Sequence, residues 1–260
     1  MNLINEFLKT LSLEQRELLY TASNLTFWIA FGIVLTLYIR KSHKLSVLQT
    51  VGVFVIPFAV NYVIVFIAGL IKTAAAPIVE IPTYYPVYFL PILYSTVTVI
   101  CPVVRLGFRE VADKFLLSYF IARPFHCIAC LLYGCCNGGP AEWGIYSGVD
   151  ELAVVPLRAF EIILVLVAWG VHHWLYIHGK FTFKGECAAI GSIVFGVLLA
   201  LFDVLCTNPD PVFLIFSAVG ISALITVAAG IIMLTHYAMK EKKRRIRNEM
   251  RKNRRKSRSS

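Results

Sequence analysis

The apolar stretches in this chain limit its fold more than any other feature. Seven of them, at about 25–40, 46–71, 84–104, 115–134, 156–177, 185–206 and 211–239, are long enough, or nearly so, for a helix to cross about 30 Å of hydrocarbon. In hydrocarbon, backbone amides are satisfied only within helices or closed barrels, and runs this long without period-two alternation read as helices. The expectation is an all-α polytopic membrane protein with seven transmembrane helices. Composition agrees: 58% hydrophobic residues, 15% charged residues and a mean hydropathy of +0.73 lie far from a soluble globular average.

Charge divides the chain further. Residues 240–260 hold 12 of the 25 Lys and Arg and 2 of the 15 Asp and Glu, so the formal charge of +10 belongs to this tail. The expected divisions are an N-terminal interfacial segment (1–24), a membrane domain (25–239) and a basic tail (240–260). A tail of this kind is drawn to anionic lipids by about 1 kcal/mol per cation near the surface. It equally suits a plain topological anchor, and nucleic acid is not an expected partner. With the tail cytoplasmic, Arg40, Lys41, Lys44, Arg105, Arg109, Lys114, Lys180 and Lys184 all fall in cytoplasmic loops. The opposite side holds only Lys9, Arg16 and Lys72, and this bias sets the N-terminus outside and the C-terminus in the cytoplasm. Residues 1–20 do not read as a cleavable signal, being amphipathic and interrupted by Glu6, Lys9, Glu14, Arg16 and Glu17.

That orientation sets depths. The fourth span runs outward to Gly134, which puts His126 roughly 12 Å and Arg123 roughly 16 Å below its outer end. Arg158 and Glu161 fall within roughly 10 Å of the outer surface, and Asp203 lies about one turn from the end of the sixth span. The inner half holds only His172, His173 and His178, near its rim. Ionised side chains in membrane helices are costly and mark candidate sites, and their crowding into the outer half points to function. Internal pairing is the competing account: Arg158 and Glu161 are an i,i+3 pair, and Asp203 could neutralise Arg123. Asn61 in the second span suits either helix packing or a ligand.

The seven cysteines are an odd number without a regular framework, so no disulfide scaffold is implied. Cys127, Cys130, Cys135 and Cys136 beside His126 raise a metal or thiol site. Cysteine inside a membrane helix is more often a small hydrophobe, however, and an adjacent pair suits one tetrahedral ion poorly. Neither metal nor cofactor is expected.

Ile128-Ala129-Cys130-Leu131-Leu132-Tyr133-Gly134-Cys135-Cys136-Asn137-Gly138, with Trp143-Gly144-Ile145 beyond, resembles the signature of bacterial prolipoprotein diacylglyceryl transferases, in the branch with a Gly-Cys-Cys turn. Val155-Pro156-Leu157-Arg158-Ala159-Phe160-Glu161 resembles the family's His-Pro-x-Gln-Leu-Tyr-Glu segment, and Phe195-Gly196 with Asp203 resembles its Tyr-Gly…Glu helix. The likeness covers roughly 113–206. Cys127 and Leu199 stand where the family carries arginines, and Arg123 sits one helical turn before the first of them. The resemblance implies transfer of diacylglyceryl from phosphatidylglycerol to the lipobox cysteine of a prolipoprotein, with glycerol phosphate leaving. The implied setting is the bacterial cytoplasmic membrane, with the prolipoprotein's signal-peptide region as partner.

Such alkyl transfer needs a cation on the departing phosphate and a base for the thiol, in a water-poor cavity. Arginine suits the phosphate because its planar fork grips oxygens and stays charged when buried. The candidate catalytic residues are therefore Arg123, His126, Arg158 and Glu161. The candidate substrate contacts are Asn61, Gly134, Asn137, Gly138 and Asp203. A non-catalytic lipid-binding or transport protein is the alternative.

Overall fold

The computed structural model describes residues 2–75, 89–134, 138–147, 151–206 and 218–259. Asn137, Cys135, Cys136 and the links at 76–88 and 207–217 lie outside the described residues. Eight helices are described: α1 (Asn2–Thr10), α2 (Leu13–Ser42), α3 (Val47–Ala75), α4 (Phe89–Val104), α5 (Phe108–Tyr133), α6 (Leu157–Ile177), α7 (Glu186–Leu205) and α8 (Ala218–Ser259). A two-stranded hairpin, β1 (Pro140–Ser147) with β2 (Leu152–Val154), joins α5 to α6. Six helices, α2, α3, α5, α6, α7 and α8, are long and apolar enough to cross a membrane. The chain is an all-α multi-pass membrane protein carrying one small hairpin.

Helix α5 is the axis. Residues Val111–Phe120 are all buried, and α2, α4, α6 and α7 pack around it. Most of this stretch is apolar on every side, which suits an enclosed helix, and its charged residues Asp113 and Lys114 are each partnered. The outward faces of the others, among them Val47, Leu48, Phe66, Ile163 and Val167, are exposed apolar surface of the kind lipid covers. At mid-height, Phe27, Phe31, Phe89, Phe115, Tyr119 and Phe195 form an aromatic core, with Phe89 and Phe195 ring centroids 4.7 Å apart in a tilted pair. Helices α7 and α8 meet along a seam of small residues. A Cβ on Gly196 would lie 2.7 Å from Ala223 O, and one on Gly230 would lie 2.8 Å from Ala189 O.

Several boundaries differ from the sequence expectation. The break at residue 24 is absent, because α2 runs unbroken from Leu13. Ser12 starts it with a capping box: Ser12 Oγ accepts from Gln15 N, and Gln15 Oε1 accepts from Ser12 N. Only α1 stands apart, and Arg16 closes it by donating to the carbonyls of Leu8 and Leu11. The basic tail is likewise a continuation of α8; nothing in its Lys- and Arg-rich sequence breaks a helix. Helix α5 begins at Phe108, seven residues before the expected 115, and this draws Asp113 and Lys114 into the interior. The inner half is therefore not confined to rim histidines. Asp113 accepts from Gly185 N and Ala188 N, both at 2.8 Å, and Lys114 donates to Glu110 at 2.8 Å. Crowding of ionic groups into one half alone is thus not what distinguishes the cluster of Arg123, Arg158 and Glu161.

Candidate functional site

The end of the bundle that carries the hairpin is built from short-range constraints. Gly134 ends α5 in the left-handed region at φ 91, and its N donates to Cys130 O at 2.9 Å. Ser147 Oγ then donates to Gly134 O, which ties β1 to the helix end. Gly138 and Val155 are joined by Gly138 N to Val155 O at 3.0 Å, and a Cβ on Gly138 would stand 2.8 Å from Val155 Cβ. Helix α1 lies on the hairpin: Asn5 Nδ2 donates to Gly144 O, and Asn5 Oδ1 accepts from Tyr146 N at 2.9 Å. These ties fix where α6 starts, and so where Arg158 and Glu161 enter the interior.

Beneath this cap, α5 and α6 bring three ionised side chains together. Glu161 Oε1 accepts from Arg123 Nε at 3.0 Å and from Arg123 Nη2 at 2.8 Å. Its Oε2 accepts from Arg158 Nη1. Arg123 and Glu161 are each 1% exposed and Arg158 6%, so the trio sits in the apolar interior. Tyr119 lies beside Arg123, and the Phe195 ring centroid is 5.8 Å from the guanidinium carbon. Two guanidinium groups share one carboxylate, and as a unit the trio is cationic. The carboxylate that takes Arg123 is Glu161 on α6, where the sequence had offered Asp203.

One turn toward the hairpin, His126 is held between two helices. Asn24 Oδ1 on α2 accepts from His126 Nδ1 at 2.6 Å, which turns Nε2 toward Cys130 Sγ at 3.8 Å. Phe27 and Tyr20 wall the ring edge-on at centroid distances of 6.2 and 6.5 Å. The imidazole is thus oriented by an amide and faces a thiol, as a general base for sulfur requires. A scan against protein-family models finds no match, and searches of curated proteins and of solved structures find none either. Chemistry for this chain therefore has to be argued from its own side chains.

The candidate residues divide by place. Arg123, Arg158 and Glu161 meet, with His126 one turn away. Gly134 and Gly138 shape the hairpin cap above them through their backbone. Asn61 is buried on α3, which packs chiefly on α2 and α4. Asp203 is half-buried near the end of α7. Among the described residues, no group of three His, Cys, Asp or Glu side chains is placed to hold a metal ion. Sequence reasoning missed Asn24 and the orientation of Cys130. The i,i+4 spacing of His126 and Cys130 could have suggested the second. Nothing local signals that residue 24 meets residue 126.

Proposed function

We propose that this chain transfers a lipid group from a phosphate-bearing glycerolipid to a thiol. In its most specific form, the diacylglyceryl group of phosphatidylglycerol passes to the lipobox cysteine in the signal-peptide region of a prolipoprotein. The observation that carries the reading is the cationic Arg123–Glu161–Arg158 trio, one helical turn from a histidine whose Nε2 faces sulfur. The acceptor sulfur attacks the glycerol carbon bearing the phosphodiester oxygen, that C–O bond breaks, and glycerol phosphate leaves. The thiol proton passes to His126 Nε2, whose other nitrogen is anchored on Asn24. Arg123 and Arg158 stabilise charge gathering on the departing phosphate, and Glu161 holds the two forks in register until it arrives. Cys130 Sγ marks the position an acceptor thiol would take for proton transfer. In this reading the chain crosses a bacterial cytoplasmic membrane seven times, N-terminus outside and C-terminus in the cytoplasm, so that the enclosed trio lies in the half of the bundle nearer the outer leaflet. The Lys and Arg distribution supports that orientation.

The test is complementation of a bacterial strain lacking its own diacylglyceryl transferase, paired with transfer of labelled phosphatidylglycerol to a lipobox peptide by the purified protein. Arg123→Lys and Arg158→Lys are each expected to lower the transfer rate by about 100-fold or more, because an ammonium keeps the charge and loses the fork. Stable expression without complementation or transfer overturns the enzymatic reading. The same result with phosphatidylglycerol retained by the purified protein favours the non-catalytic alternative, which the enclosure of both arginines on Glu161 also fits.

A further inference from the structure

At the opposite end of the bundle, the extension of α8 does not simply project into water. Together with the start of α5 and the turn before α7 it encloses a cleft of about 1100 Å³. Seven cations line it against two carboxylates, and both carboxylates are already engaged. Glu110 takes Lys114 at 2.8 Å and Lys184 at 2.6 Å, while Glu241 lies 3.8 Å from Arg244 and 3.9 Å from Arg245. Among the described residues, Arg109, Lys240, Lys243, Arg247 and Arg251 have no carboxylate within 4.0 Å. Arg109 stands on the α5 wall with its guanidinium 4.2 Å from the Tyr237 ring centroid, and that stacking fixes its direction. The other four recur at spacings of three, four and four along α8, so they form one stripe of about 16 Å facing the cleft. Lys242 and Arg245 lie on the same stretch of helix outside the lining.

Like charges gathered around an open space repel one another unless an anion enters. The stripe is too long for one phosphate, and its arginines offer bidentate grips suited to phosphate oxygens. The apolar part of α8 ends at Met239, so the cleft begins where hydrocarbon would give way to headgroups. We infer that this cleft is a binding site for an anion carrying two or more phosphates, gripped between Arg109 and the Lys240–Arg251 stripe. The anion is either the headgroup of a diphosphate lipid or a soluble polyphosphate. The site is about 21 Å along α5 from Arg123, counting 14 residues from Arg109. It does not depend on the transferase reading.

The test uses the full-length protein in neutral detergent at 150 mM salt, titrated with cardiolipin in mixed micelles, with phosphatidylglycerol, and with inorganic pyrophosphate and tripolyphosphate. One-to-one binding is expected for cardiolipin or for the soluble polyphosphates, at least 10-fold tighter than for phosphatidylglycerol. Competition by tripolyphosphate identifies a soluble ligand; saturable cardiolipin binding without that competition identifies a lipid. Lys243→Glu with Arg247→Glu is expected to weaken binding at least 10-fold. Lys242→Glu with Arg245→Glu makes the same charge change off the stripe and is expected to weaken it less than 3-fold. Arg109→Gln, outside the tail, is expected to weaken binding 3-fold or more with an unchanged melting temperature. Equal losses in the two double variants, or no one-to-one binding by any of these anions, overturn the site in favour of diffuse attraction along the tail.

Discussion

Glu161 carries more of this molecule's electrostatics than any other single side chain. It accepts three hydrogen bonds from two guanidinium groups in an interior where water is not available to take its place. Removing one partner of a buried ion pair typically costs about 3–5 kcal/mol, because the charge left behind is uncompensated. Glu161→Gln keeps the volume, leaves two arginines facing a neutral amide, and is expected to fall in that range. Glu110 is the useful contrast: it also holds two cations, but its side chain is 16% exposed and Lys184 is 74% exposed, so only Lys114 would be left buried, and beside a partly solvated site. Glu110→Gln is therefore expected to cost clearly less than Glu161→Gln. Thermal unfolding of the two variants in the same detergent checks the order. Equal losses would mean that the trio is not held together in the folded protein. That Arg123, Arg158 and Glu161 belong together was only partly legible in the sequence. The i,i+3 spacing announces Arg158 with Glu161, but the α5–α6 register that brings Arg123 to the same carboxylate is set by the hairpin and by no local pattern.

At the scale of elements, hydropathy located the apolar interiors well and the helix ends poorly. Helices α6 and α7 begin and end within one residue of the expected 156–177 and 185–206. The starts of α2 and α5 were placed late, because first turns bearing Glu14, Arg16 and Glu17, or Arg109, Glu110, Asp113 and Lys114, look like loop to a reading based on apolar length. Those charges have work that only tertiary structure reveals. Asp113, buried on α5, reaches across to satisfy the first amides of α7, whose own N-cap, Gly185 at φ 91, has no side chain to offer. Each buried amide left without an acceptor costs about 1–3 kcal/mol. Asp113→Ala is thus expected to destabilise the protein by about 2–5 kcal/mol and to speed hydrogen exchange at Gly185 and Ala188. Asp113→Asn, which retains one acceptor oxygen, is expected to recover part of both losses. Unchanged exchange at the two amides in the alanine variant would remove Asp113 as the cap. The hairpin was read only as a break between helices. Its strands are short and half-exposed, and their pairing shifts register between Pro140 and Ile145, which leaves little alternation to detect.

At the scale of the whole molecule, the open question is how many times the chain crosses, and α4 decides it. Its sixteen described residues span about 24 Å, short of a hydrocarbon core of about 30 Å. Its packing sets it alongside α3 and α5 within the bundle. Gln49 Nε2 near the start of α3 donates to Val103 O near the end of α4 at 2.7 Å, so α4 runs antiparallel to α3. At its other end Phe89 is fully buried against Tyr119 and Phe195, at centroid distances of 4.8 and 4.7 Å. Phe89 therefore opens α4 at mid-height, so the described part of α4 covers only part of the bundle's height, and the seven-crossing reading proposed above is tested at the termini. An odd number of crossings puts the two termini on opposite faces, whereas six would put them on the same face. Epitopes fused to Met1 and Ser260 are therefore expected to differ in intact spheroplasts: the N-terminal one open to an impermeant antibody, the C-terminal one reached only after permeabilisation. Identical behaviour of the two would mean that α4 does not cross.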